Sequence, residues 1–97
     1  MKILALEHEL PRATADQFQQ HVNIEARKVW EYHQAGIIRE LYFRPDRNEA
    51  VLVLECESVI EAQNILATLP FVKSGLISFE VIPLKAYPGF ARLFTES

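Results

Sequence analysis

Three charged side chains interrupt segments that are otherwise mostly apolar: Arg39 behind Ile37-Ile38, Glu55 behind Val51-Leu52-Val53-Leu54, and Glu80 between Phe79 and Val81. A charge on a covered sheet face is costly unless something pairs with it. If Phe43 and Val51 face each other across the turn that separates them, Tyr42 lies opposite Leu52 and Arg39 opposite Glu55. Two readings of that pair stay open. One is an acid/base pair flanking a carbonyl-bearing ligand, with Arg39 gripping a carboxylate through its two-pronged guanidinium. The other is a cross-strand ion pair that fixes register. A second constellation, His21, Glu25, Lys28 and Tyr32, occupies one stripe of a helix at i, i+4, i+7 and i+11 spacing. As a solvated stripe it would gain only about 0.3 kcal/mol per His21–Glu25 or Glu25–Lys28 pair. Trp30 and Tyr42 could wall a pocket for a flat apolar ligand, or serve as core.

Other chemistry is thinly represented. His8, His21 and His33 lack the compact two-histidine spacing of a zinc helix, so no metal is expected. Gly36, Gly75 and Gly89 are isolated, each explained by a turn, and no glycine-rich phosphate loop exists to hold a nucleotide cofactor. Cys56 is alone, so no intrachain disulfide forms. It precedes a helix start, which could lower its pKa, but no base stands beside it and it reads as buried. A net charge of −3 with scattered Lys and Arg argues against nucleic-acid binding, which needs a basic face. No leader pattern opens the sequence and no apolar run approaches the roughly 20 residues of a membrane span. A cytoplasmic location without membrane contact is the expectation.

The elements that must position these groups repeat one pattern. Residues 2–8 read as a strand ended by Pro11, then Thr14-Ala15-Asp16-Gln17 is a capping box that opens a helix to about residue 35. Residues 37–43 and 50–56 read as a hairpin joined by Arg44-Pro45-Asp46-Arg47-Asn48. Ser58-Val59-Ile60-Glu61 is a second capping box, and in each box the Gln or Glu is expected to reach back to the cap's own amide. The second helix closes at Pro70, and residues 76–84 return as the last strand. The order βαββαβ predicts a single ferredoxin-like α+β domain over residues 1–97, with a four-stranded antiparallel sheet and both helices on one face.

That leaves the second sheet face uncovered. The last strand is apolar on both sides, with Leu76, Ile82 and Leu84 against Ile77, Phe79 and Val81. A layer apolar on both faces must be covered on both, and a second copy of the sheet is the obvious cover. The tail, residues 85–97, carries Phe90, Leu93 and Phe94, which predicts packing on a partner subunit.

From Glu25 onward the sequence resembles the muconolactone isomerase-like family of the dimeric α+β barrel superfamily. The matching stretches are Gly36-Ile37-Ile38-Arg39-Glu40-Leu41-Tyr42, then Leu54-Glu55-Cys56-Glu57-Ser58, Leu69-Pro70-Phe71 and Ile77-Ser78-Phe79-Glu80-Val81-Ile82-Pro83-Leu84. Their order and spacing carry the likeness over about two-thirds of the chain; the first strand and the tail depart from it. The resemblance implies two protomers packed sheet to sheet into a barrel. It also implies a homodimer or larger homo-oligomer, and a cofactor-free enzyme of aromatic catabolism that moves a proton within an unsaturated lactone. On that basis Glu25 or Glu80 is the expected proton carrier and Arg39 the anion anchor, with Trp30, Tyr42, Glu55 and His21 around a small apolar or carboxylate-bearing ligand. Two other functions compete: a non-enzymatic barrel for ligand binding or assembly, and a cofactor-free monooxygenase of the same superfamily.

Overall fold

In a computed structural model, which describes residues 1–95, the chain runs β1 (Lys2–Glu9), α1 (Ala15–Gln34), β2 (Ile38–Phe43), β3 (Ala50–Glu55), α2 (Val59–Leu66), α3 (Pro70–Lys73) and β4 (Ile77–Pro83). A 3-10 segment, Gly89–Phe94, follows. The strands form one antiparallel sheet in the order β2-β3-β1-β4. This is the expected ferredoxin-like α+β arrangement. No helix among the described residues is long and apolar enough to cross a membrane.

Local chemistry explains the element ends. Thr14 Oγ1 accepts from the Gln17 amide at 3.3 Å while Gln17 Oε1 accepts from the Thr14 amide at 2.9 Å, so the first capping box is complete. The second differs from expectation. Ser58 Oγ accepts from the Glu61 amide at 3.0 Å, but Glu61 Oε2 reaches one residue further back, to the Glu57 amide at 2.9 Å. Pro70 does not simply close the second helix. It opens α3 at the first helical position, where its missing N–H would have had no partner anyway. Helices α1 and α3 both end on a left-handed glycine, Gly36 (φ 79°) and Gly75 (φ 74°). The amides of Ile37 and Gly36 donate to Tyr32 and His33, and those of Leu76 and Gly75 to Phe71 and Val72, the Schellman pattern in both places. Each turn feeds straight into a strand.

Strand alternation then assigns the faces. Ile3, Ala5 and Glu7 of β1 share the helix-facing side with Leu52 and Leu54 of β3 and Phe79 and Val81 of β4. The core sits there: Ile3, Ala5, Ile38 and Leu54 have no exposed surface, and Ala62 and Leu66 of α2 and Leu69 pack onto them. Cys56 is buried at its edge, and burial pushes its thiol pKa up. Helix α1, though 20 residues long, contributes no buried residue. The opposite face presents Leu4, Leu6, Val51, Val53 and Ile82, half-buried in the single chain and without a helix over them.

The hairpin register differs by one from expectation. The Arg44 amide donates to the Glu49 carbonyl at 3.0 Å, so the loop closes there and Phe43 pairs with Ala50, not Val51. Tyr42 therefore stands opposite Val51, and a one-residue slip moves its side chain to the other face of the sheet. A β-bulge between Ile38 and Glu40 takes Arg39 out of the ladder, so the anticipated Arg39–Glu55 pairing does not form.

Beyond Leu84, whose amide makes the last bond to β1 (Lys2 carbonyl, 2.9 Å), the chain leaves the body. Its contacts become local: Tyr87 and Phe90 stack edge to face at 5.0 Å, and the Ala91 amide bonds the Pro88 carbonyl. Tyr87, Phe90, Leu93 and Phe94 are each at least 67% exposed. The radius of gyration is 16.2 Å, against about 12.5 Å for a compact chain of this length, and the longest axis is 61 Å. The segment is a projecting arm. The last two residues of the tail, 96 and 97, lie outside the described residues.

Candidate active site

Because α1 stands off the sheet, a cleft of about 520 Å³ opens between them. Phe18, Val22, Ala26 and Val29 form its helix wall, and Leu41, Phe43, Leu52 and Phe79 its sheet wall. Phe71 closes one end, its ring edge-on to Phe18 at 5.0 Å between centroids. Val22, Leu41 and Phe43 remain substantially exposed, so the cleft is open to solvent.

Two carboxyls enter this apolar space from opposite walls. Glu25 comes from α1, where the stripe spacing turns it inward; its Oε1 accepts from the Phe71 amide at 2.9 Å. That amide belongs to the first turn of α3, which has no side-chain cap of its own, so Glu25 also supplies that cap. Glu7 comes from β1, placed by alternation one step beyond Ile3 and Ala5. Burial dominates both groups. It raises the Glu7 pKa to about 7, with the Ala50 amide opposing and the charges of Glu49, Glu25 and Glu9 adding to the rise. Burial likewise raises that of Glu25, against the Phe71 amide and His21. Two carboxyls in one apolar cleft, the charge of Glu25 adding to the rise at Glu7, can divide the roles of proton donor and proton acceptor.

Glu49 supports this arrangement from behind. It is 8% exposed; Oε2 accepts from the Glu9 amide at 2.7 Å and Oε1 from Arg47 Nη1 at 3.4 Å. The Glu9 amide is the main reason its pKa is held below the usual carboxylate range. This carboxylate ties the end of β1 to the hairpin loop and keeps a negative charge close to Glu7.

The residues singled out from sequence separate into distinct places. Glu25 lies in the cleft, and His21 beside it contacts Ser74 Oγ at 3.3 Å. Farther along the stripe, Tyr32 fastens α1 to the segment after α2, while Lys28 meets residues of α1 itself. Tyr32 Oη and Thr68 Oγ1 are 2.6 Å apart, and Lys28 sits 5.1 Å from the Tyr32 ring and 3.9 Å from Glu31. Tyr42 borders the cleft, but its hydroxyl donates to Glu40 Oε1 at 2.8 Å, with both side chains on the opposite face. Glu80 stands on that face too, opposite Leu6 and 3.6 Å from His8 Nε2. Glu55 meets the Met1 amino group at 3.4 Å rather than Arg39. Arg39 Nε donates to the Gly36 carbonyl, outside the cleft lining. Trp30 is 56% exposed, tilted against His33, and does not reach the cleft. Among the described residues, no three His, Cys, Asp or Glu side chains converge as metal ligands.

Glu7 and Glu49 were not anticipated. The signal for Glu7 was present in the alternation Ile3-Ala5-Glu7, which puts a carboxylate on the covered face. Nothing in the turn-like loop sequence marks Glu49 as buried.

Comparison with known proteins agrees with the architecture. A search of curated proteins returns no match. Among solved structures, muconolactone isomerase superposes with a TM-score of 0.75 at 20% identity, covering 91% of this chain and 92% of that one. The 5-chloro-2-hydroxyhydroquinone dehydrochlorinase of Burkholderia phenoliruptrix AC1100, in complex with 2,5-dihydroxybenzoquinone, superposes with a TM-score of 0.65 at 20% identity. It covers 92% of this chain and 98% of that one. These likenesses establish the fold. The model of the muconolactone delta-isomerase family matches residues 4–89, and the chain belongs to that family.

Proposed function

We propose that this protein is a cofactor-free proton-transfer catalyst acting on a small unsaturated carbonyl compound, an isomerase of the kind its family is named for. The observation that carries the reading is the pair Glu7 and Glu25 on opposite walls of one apolar cleft. In its ionised form Glu25 removes a proton from a carbon conjugated with the carbonyl. The electron pair moves onto the carbonyl oxygen, and the protonated Glu7 stabilises that oxygen by donating a hydrogen bond. Glu25 then returns the proton further along the conjugated system, so the double bond shifts and nothing is gained or lost. The two superposed structures are named for the isomerisation of a lactone and for a dehydrochlorination, and both kinds of reaction can begin with loss of a proton near a carbonyl group.

The test is conversion of unsaturated γ-lactones in deuterium oxide, followed by proton NMR. Turnover should place solvent deuterium on the lactone carbon. Glu25→Gln keeps an oxygen for the Phe71 amide but has no base, so it should lower kcat by about 10²–10⁴-fold while circular dichroism stays unchanged. Undiminished turnover in Glu25→Gln and Glu7→Gln would remove both assignments, whereas binding without turnover in the parent protein would favour a ligand-binding module, in which Glu25 serves only as the cap of α3.

The working unit is a homodimer or larger. Leu4, Leu6, Val51, Val53 and Ile82 form an apolar sheet face without a cover, and the arm holds four large apolar side chains away from its own body. A second copy supplies surfaces for both. Sedimentation at micromolar concentration should give a mass of at least two chains; a stable monomer would refute it.

A further inference from the structure

The backbone ladder between β1 and β3 ends at the pair Leu6–Val51. Beyond it two carboxyl groups take over the cross-strand bonding, and they do so crosswise. Glu7 of β1 accepts from the amide of Ala50, the first residue of β3. Glu49, one residue before β3, accepts from the amide of Glu9 at 2.7 Å. Each strand lends the other a side-chain oxygen where a regular ladder would use a carbonyl. This clasp borders the cleft, whose lining includes Glu7, Glu9, Asn48 and Ala50. Every group in it belongs to one chain, so each copy of an oligomer carries its own.

The two carboxyls of the clasp have different surroundings. Glu49 is buried beside positive charge, with Arg47 Nη1 at 3.4 Å and His8 of β1 acting on it as well. Glu7 looks into apolar space and meets the negative charges of Glu49, of Glu25 on α1 and of Glu9. Of two such neighbours, the one given donors and cations ionises first and leaves the other its proton. We propose that Glu49 is a positioning residue of the site: as the ionised member of the clasp, it fixes Glu7 and keeps it in the protonated form that donates to the substrate carbonyl. The purpose assigned to it rests on the proposed function; the electrostatic link to Glu7 does not.

The test is a carbon-13 NMR titration of the glutamate carboxyls, with Glu7 assigned by the signal lost in Glu7→Gln. Glu49→Gln keeps an oxygen for the Glu9 amide and removes only the charge, so the Glu7 midpoint should fall by about half a pH unit or more. A midpoint that stays in place overturns the proposal, whatever happens to stability, because a merely structural Glu49 would not move it. Should that variant not fold, Arg47→Gln decides alone. It strips the compensating cation, so the Glu7 midpoint should rise, and a midpoint that does not rise refutes the link. Where a lactone is converted, the alkaline limb of kcat/KM should move down with the Glu7 midpoint in Glu49→Gln. A limb that stays while the midpoint moves takes Glu7, and Glu49 with it, out of the mechanism. A moved midpoint in a protein that converts no lactone supports the link and defeats the proposed reaction alone.

Discussion

The two halves of the chain start from the same instructions and reach different ends. Each has an apolar strand, a hydroxyl cap with Gln or Glu three residues later, an amphipathic helix and a glycine-terminated exit into the next strand. In the α2 half, Ala62, Leu66 and Leu69 are pressed into the sheet with almost no exposed surface. In the α1 half, no helical residue is buried, and the space between helix and sheet is an open cleft with two ionisable groups. One half supplies stability and the other holds a site. Secondary-structure signals alone cannot distinguish them; the side chains facing the sheet do.

Leu66→Ala tests that division most severely. It should cost about 2–5 kcal/mol, because it leaves a hole in a packed core, whereas Val29→Ala in the cleft wall should cost about 1 kcal/mol. Urea unfolding measures both, and equal losses would abolish the distinction between the halves. A smaller effect comes from Glu7. The folded state holds its proton up to about pH 7, while the ordinary value is 4.5. Below pH 4.5 both states are protonated and there is no penalty. As the pH rises from 4.5 to 7 the unfolded chain ionises first, stability falls, and above 7 the loss is complete. Glu7→Gln has no such penalty. It should match the parent at pH 4 and gain on the order of 1–2 kcal/mol by pH 8, after allowance for partial exposure. A difference independent of pH would mean that Glu7 does not sit in a desolvating environment.

Much of the fold was legible because local signals agreed with one another. Thr14, Ser58, Gly36 and Gly75 marked the boundaries, and alternation in the strands gave the sheet two apolar faces. The site was only partly legible. Glu25 could be placed from its helical stripe and from the family resemblance, but Arg39, Glu55, Tyr42 and Glu80 could not. The pairing of Arg39, Glu55 and Tyr42 depends on hairpin register, and register depends on where the loop closes. Glu80 lies on β4, outside the hairpin, where alternation turns it to the face opposite the cleft. Sequence showed a turn at 44–48 but not that the Arg44 amide bonds to Glu49, and that single bond sends Tyr42 to the far face. The bulge at Arg39 has the same character: an extra residue on one strand leaves no mark in composition. Trp30 failed for a different reason, since its place near the helical repeat did not say which residues of α1 meet the sheet.

The polar fastening of α1 has one more consequence. Its polar links to the chain after α2 run through Glu25 to the Phe71 amide, His21 to Ser74 and Tyr32 to Thr68, beside the edge-to-face contact of Phe18 with Phe71. Interlocked aliphatic packing resists small displacements, whereas such bonds can lengthen, break and re-form. Exchange of these bonds for bonds to water would let one rod tilt and widen the space between the walls for a bulkier guest, with the layer beneath it left in place.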